Sequence, residues 1–142
     1  MLDDLRRRPW TARVHARTLA GLHRALHAIA PPELLRGSGP AILHLDLHPA
    51  NVMLGRAGPV VIDWANASRG DPALDIALTA VVLAGAPVGP PLSWLRDRFR
   101  RAFTGAFSDD EWRAAIDRAI AYRRADGNVS DKERARLTKL RL

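Results

Sequence analysis

His44-Leu45-Asp46-Leu47-His48-Pro49-Ala50-Asn51, followed closely by Val60-Val61-Ile62-Asp63-Trp64, decides how this chain is read. From Ala41 to Leu47 the residues alternate: Leu43, Leu45 and Leu47 fall on one side of an extended chain, His44, Asp46 and His48 on the other. Pro49 has no N–H for a sheet ladder, so the strand is expected to end there in a loop. Val52-Met53-Leu54 and Pro59 to Ile62 then read as the arms of a hairpin closed by Gly55-Arg56-Ala57-Gly58. Folding back carries Asp63 toward Asn51 and Asp46. Two carboxylates and a carboxamide on one loop face make an oxygen-rich site suited to Mg²⁺, with one carboxylate left to orient a hydroxyl.

The order His-x-Asp-x-x-x-x-Asn and then Ile-Asp-Trp resembles the catalytic core of the aminoglycoside phosphotransferase and choline kinase-like family, distant relatives of the protein kinases. Upstream, Leu19-Ala20-Gly21-Leu22-His23 and Leu26-His27-Ala28-Ile29 look like that family's helix before the catalytic loop. Downstream, Gly70-Asp71-Pro72-Ala73-Leu74-Asp75-Ile76-Ala77 looks like its Gly-Asp-Pro-x-x-Asp-hydrophobic-Ala signature. The resemblance spans roughly residues 10 to 125. Position 45 departs from it: many members carry Gly there, and Leu makes the turn less permissive.

The resemblance implies transfer of a phosphoryl group from ATP or GTP, with Mg²⁺, to the hydroxyl of a small molecule. It makes Asp46 the acceptor of the attacking hydroxyl's proton and Asn51 and Asp63 the Mg²⁺ ligands. It makes His44 a support beneath the loop, and Asp75 a side chain that reaches back to tie down loop N–H groups. Such transfer needs positioning and charge neutralisation more than covalent chemistry, so few side chains suffice. It also implies a missing part. No Gly-x-Gly-x-x-Gly occurs, and Lys132 and Lys139, the two lysines, lie near the C-terminus. Met1-Leu2-Asp3-Asp4-Leu5 looks like the hinge to a nucleotide-binding lobe, so the chain resembles a C-terminal lobe with the N-terminal lobe absent. The alternative is a catalytically silent kinase-like module, because losing phosphate clamps costs orders of magnitude in rate.

Composition narrows the class. A chain of 142 residues suits a single domain, residues 1–142, that buries about two-thirds of its unfolded surface. With 47% hydrophobic residues it is not a disordered composition, and without Cys it has no disulfide framework or thiolate zinc site. No signal-peptide pattern opens it, and its longest apolar run, Ile76 to Val88, is interrupted by Pro87, so a cytoplasmic protein without a membrane span is expected. The net charge of +7 is uneven. Residues 41–90 carry Asp46, Asp63, Asp71 and Asp75 against Arg56 and Arg69, an acidic centre that fits a cation site better than a phosphate-backbone groove. Arg6-Arg7-Arg8 and Arg96 to Arg101 could serve nucleic acid or anionic lipid, but their aromatic interleaving is weak and they read as solvated helix faces. The basic C-terminal third, whose main acidic cluster is Asp109, Asp110, Glu111 and Asp117, argues against a polycationic antibiotic as acceptor. Self-association through the surface left by the missing lobe is expected.

The organisation is α+β: a small hairpin bearing the loops, set among five or so helices, with a motif core at about 41–83 and C-terminal helices at about 91–139. Pro9 opens a helix with Val14, Leu19, Leu22, Leu26 and Ile29 inward, stopped by Pro31-Pro32. Asp71-Pro72 caps an apolar helix to about Leu83. Leu92, Leu95, Phe99, Ala102 and Phe103 share the next helical face. Ser108 with Glu111 is a capping box for a helix ending at Gly127, and Ser130 with Glu133 starts a short final one. His44 and His48 could together hold a metal, although Pro49 turns the chain just after His48. His23 and His27 stand at i, i+4, but Arg24 replaces the glutamate of a zincin motif, so they read as ordinary helix histidines.

Overall fold

Apolar residues surround the 72–85 segment on every side, and a helix with no polar stripe has to sit inside the molecule. In the structure, a computed structural model that describes residues 1–90, 92–140 and 142, this segment is the central helix. The order is α1 (Leu2–Arg7), α2 (Ala12–His27), β1 (Ala41–Leu43), β2 (Val52–Gly55), β3 (Gly58–Val61), β4 (Ser68–Gly70), α3 (Pro72–Gly85), α4 (Leu92–Thr104), α5 (Ile116–Ala125) and α6 (Asp131–Thr138). The fold is α+β, with two small antiparallel sheets. One cluster of buried side chains runs from Met1 to Leu137.

Asp71 caps α3 by accepting from the Ala73 N–H at 3.0 Å, and Pro72 occupies the first turn, where its missing N–H is harmless. α3 then packs against α4, α5 and α6. At its end the α6 side chains come so close to Gly85 that a Cβ there would stand 3.1 Å from Leu137 Cδ2. α2 buries Ala12, Ala16, Leu19, Ala20, His23 and Leu26. Val14, expected inward, is 63% exposed, since five residues before Leu19 is about 140° around the helix. Ile29 is exposed because α2 stops at His27, before the prolines.

The hairpin has the expected arms, paired Val52↔Val61 through Gly55↔Gly58. The other pairing is not visible locally: β1 joins β4, Ala41↔Gly70 to Leu43↔Ser68. The strand expected over 41–47 therefore ends at Leu43. Met1 to Leu5, read as a hinge, lies largely within α1, with Leu5 in the core. The capping box at Ser108 is present, but it opens a 3₁₀ turn, Asp109–Glu111, and a second one follows before α5 begins at Ile116. Among the described residues, no helix is long and apolar enough to cross a membrane.

Candidate functional site

Strand alternation fails at His44 because Leu45 takes a left-handed backbone conformation, φ 62°. That rotation turns consecutive residues inward: His44 is 0% exposed and Leu45 7%. A branched residue held there costs about 1–2 kcal/mol, so something must hold it. Asp75, in the first turn of α3 and 1% exposed, does so. Its Oδ1 accepts from the Leu45 N–H at 2.7 Å and its Oδ2 from the His44 N–H at 3.2 Å. His27 Nε2 donates to the same Oδ2 at 3.0 Å. His23 Nδ1 stands 3.4 Å away, outside hydrogen-bonding geometry, so His27 and the two backbone groups carry the grip. Thr79 Oγ1 donates to the Leu47 carbonyl at 2.7 Å, which leaves His23 Nε2 to donate to Thr79 Oγ1 at 3.1 Å. Burial alone would push the Asp75 carboxyl up, but the hydrogen bond from His27 and the nearby His23 ring outweigh it and hold it far below the usual carboxylate range. The ligand atoms of His23, His27 and Asp75 lie within 4.8 Å of one another. With Asp75 Oδ2 already taken by donors from His27 and His44, the cluster acts as a clamp on the loop.

Beyond the clamp the loop turns Asp46, His48 and Ala50 toward the surface and buries Leu47, Pro49 and Asn51. Asp46 lies at the protein surface with its side chain 22% exposed. Asn51, in the 3₁₀ turn Pro49–Asn51, points Nδ2 back at it, 2.9 Å from the Asp46 carbonyl and 3.1 Å from Oδ2. His48 Nδ1 accepts from the Ala50 N–H at 3.2 Å, which fixes the ring proton on Nε2, 3.5 Å from Asp46 Oδ1. Arg123 Nη1, from α5, approaches the same oxygen at 3.9 Å. Burial raises the Asp46 pKa, but His48, Arg123 and Asn51 together bring it below the ordinary value. Asp46 is thus a carboxylate at neutral pH.

Asp63 follows the second hairpin arm, exposed and also left-handed, φ 66°. The residue before it is fixed from both sides: the Ile62 N–H donates to the Asn51 carbonyl at 3.0 Å, and His44 Nε2 donates to the Ile62 carbonyl at 3.0 Å. The His44 ring also packs on Trp64, centroids 4.7 Å apart. Asp46 and Asn51 therefore meet through side chains, whereas Asn51 and Asp63 are linked through the Ile62 backbone. Among the described residues, Leu45 and Asp63 are the two non-glycines with positive φ, and both lie in the motif.

A family comparison, independent of this geometry, covers the loop, the hairpin and α3 together. The family model described as Phosphotransferase enzyme family (APH) matches residues 2–127. The chain belongs to this phosphotransferase family. No curated protein and no solved structure matches it significantly.

In this phosphotransferase family member Asp75 acts on the motif as the resemblance implied, but its helpers from α2 and α5 were not apparent from the sequence. His23 and His27 looked like ordinary helix histidines, and their i, i+4 spacing was the visible signal of a shared partner. His44 and His48 do not converge as a metal pair: one bonds the Ile62 carbonyl, the other caps the turn and faces Asp46. Arg123 had no local signal at all, because 77 residues separate it from Asp46.

Proposed function

We propose that this chain is the C-terminal, catalytic lobe of an O-phosphotransferase that moves the γ-phosphoryl group of ATP or GTP to a hydroxyl of a small molecule. The observation that carries the reading is Asp46: ionised, partly exposed, and oriented by Asn51 and His48 on a loop held rigidly from α3. Asp46 accepts the hydroxyl proton as the acceptor oxygen bonds to phosphorus and the bond to the β-phosphate bridging oxygen breaks, releasing the nucleoside diphosphate.

The donor set suits Mg²⁺. Asn51 commits Nδ2 to Asp46, which turns its amide oxygen away from that carboxylate, and Asp63 offers an exposed carboxylate at the next backbone position along the hairpin. Bound there, the ion would neutralise charge on the nucleotide phosphates. His44 and Asp75 are supports: they fix the loop and the residue before Asp63, and neither reaches solvent. The lobe assignment is supported by the lack of a Gly-x-Gly-x-x-Gly and by the apolar residues Met53, Val60 and Trp64, which stand exposed on and just after the hairpin, as a surface meant to be covered would. On this reading the protein works in the cytoplasm, where nucleoside triphosphates are.

The test measures Mg-ATP affinity by titration calorimetry and acceptor-dependent ADP formation over amino-sugar, choline-like and sugar alcohols. Both are run on the chain alone and with the coding sequence upstream of Met1 included. Turnover in the longer form that vanishes in Asp46→Asn is expected. Absence of nucleotide binding and turnover in both forms would leave the second reading, a silent module, which the lack of a phosphate-covering loop and strand lysine favours.

A further inference from the structure

A cavity of about 320 Å³ opens beside the catalytic loop, between α1, α3, α4 and the 48–50 segment. That volume is at the low end for sites that enclose a small organic ligand. Its walls are apolar side chains, among them Leu5, Leu83, Val88, Leu95 and Phe99. Its lining also includes His48 and Arg123, the two side chains that face Asp46 Oδ1, at 3.5 Å and 3.9 Å. The cavity therefore borders, through these two side chains, the carboxylate assigned above as the proton acceptor, which is not itself among the described lining residues.

Its charges decide what it can take. Among the described lining residues the acid is Glu133, and its Oε1 is held by Arg123 Nε at 2.9 Å. Arg6 and Arg96 also line the cavity. Arg96 spends donors on Asp97, at 2.9 Å, and on the Ala86 carbonyl at 3.1 Å. An ammonium group brought into this chamber would lose its water, find no uncommitted carboxylate in the wall, and meet three guanidiniums. A neutral or singly anionic molecule with an apolar body meets neither cost.

We propose that this cavity is the acceptor site, and that it takes hydroxylated compounds with an apolar body, neutral or monoanionic, rather than polycationic amino sugars. This rests on the phosphotransferase reading for the word acceptor. The occupancy and selectivity of the cavity do not depend on it.

The described lining belongs to this chain, so binding is measured on it directly, without nucleotide. The probes are 4-phenyl-1-butanol, 3-phenyllactate and kanamycin, titrated by calorimetry and by NMR of the histidine ring protons. Expected are saturable binding of both phenyl compounds with a shift of the His48 ring signal, and kanamycin weaker by at least about tenfold, equivalent to roughly 1.4 kcal/mol. Val88→Trp, which fills the cavity from its half-buried rim, should abolish phenyl-compound binding with the thermal midpoint preserved. Leu95→Ala, which enlarges it, should shift the preference toward a bulkier alcohol such as 2-naphthaleneethanol. Kanamycin binding tighter than the phenyl compounds, or phenyl binding that leaves His48 unmoved and survives Val88→Trp, overturns the proposal. Asp46-dependent turnover of kanamycin would sink it while leaving the phosphotransferase reading intact. Selective phenyl-alcohol binding without turnover in any form would sink that reading and retain the selective cavity.

Discussion

Asp75→Ala removes the acceptor that holds the 44–45 backbone against α3. The carboxylate, 1% exposed, takes the Leu45 N–H at 2.7 Å, the His44 N–H at 3.2 Å and His27 Nε2 at 3.0 Å. Each hydrogen bond to a charged group is worth about 1.5–3 kcal/mol, but the three share one anion and do not add fully. Deleting one member of a buried charged cluster costs about 3–5 kcal/mol in all. Against a total stability of roughly 5–15 kcal/mol, that is a large fraction. Asp75→Asn keeps the volume and one acceptor oxygen but presents an NH₂ to the other donors, and should cost about 2–3 kcal/mol. The Asp75 carboxyl is held well below its ordinary value, so its contribution is complete above the unfolded pKa near about 4 and erodes as pH falls from there toward the folded value. The gap between parent and Asp75→Asn should thus be constant from about pH 6 to 8 and shrink below about pH 4. Urea unfolding followed by the fluorescence of buried Trp112 reads both effects, with an unchanged m-value expected. Losses under about 1 kcal/mol for both variants at pH 7, or a gap that widens on acidification, would refute the clamp.

Asp46→Asn should lower acceptor-dependent turnover by about 10²–10⁴-fold while moving the urea midpoint little, and equal loss of folded protein would reassign Asp46 to structure. Since the Asp46 pKa lies below the ordinary value, its acid limb in the pH–rate profile should fall below about pH 4, and a limb between about pH 5 and 7 would have to come from another group. Gly37→Ala should destabilise by about 1–3 kcal/mol, because φ is 87° there and the new Cβ would stand 2.5 Å from the Arg69 carbonyl oxygen; a neutral result by thermal melting would contradict that close approach. Phe103→Ala should cost about 3–5 kcal/mol, since the ring is 0% exposed and packs on His23 and Phe107 at centroid distances of 5.3 Å. A loss below about 1.5 kcal/mol in urea unfolding would mean the site collapses around the gap.

The parts of this protein that are legible from residues alone are those whose physics is local. The hairpin arms follow from apolar runs separated by a glycine-flanked turn, the α3 cap from Asp71-Pro72, and the Ser108–Glu111 box from side chains that bond backbone three residues away. The family also is legible, because its motif residues are close in sequence. Where readings failed, a distant partner had overridden a local pattern. Alternation at 43–47 gives way because Asp75, thirty residues on from Leu45, holds that residue left-handed and draws His44 inward. β1 pairs with β4 rather than continuing, and nothing in either three-residue strand names its partner. The environment of Asp46 was least visible. His48 is its near neighbour, but Arg123 arrives from α5 and the wall of the adjoining cavity from α1, α3 and α4, so the charge and shape around Asp46 exist only once the helices pack. Local hydrogen-bond chemistry determined the elements and the motif; tertiary packing decided which side chains face Asp46, because that depends on contacts between segments too far apart to constrain one another's composition.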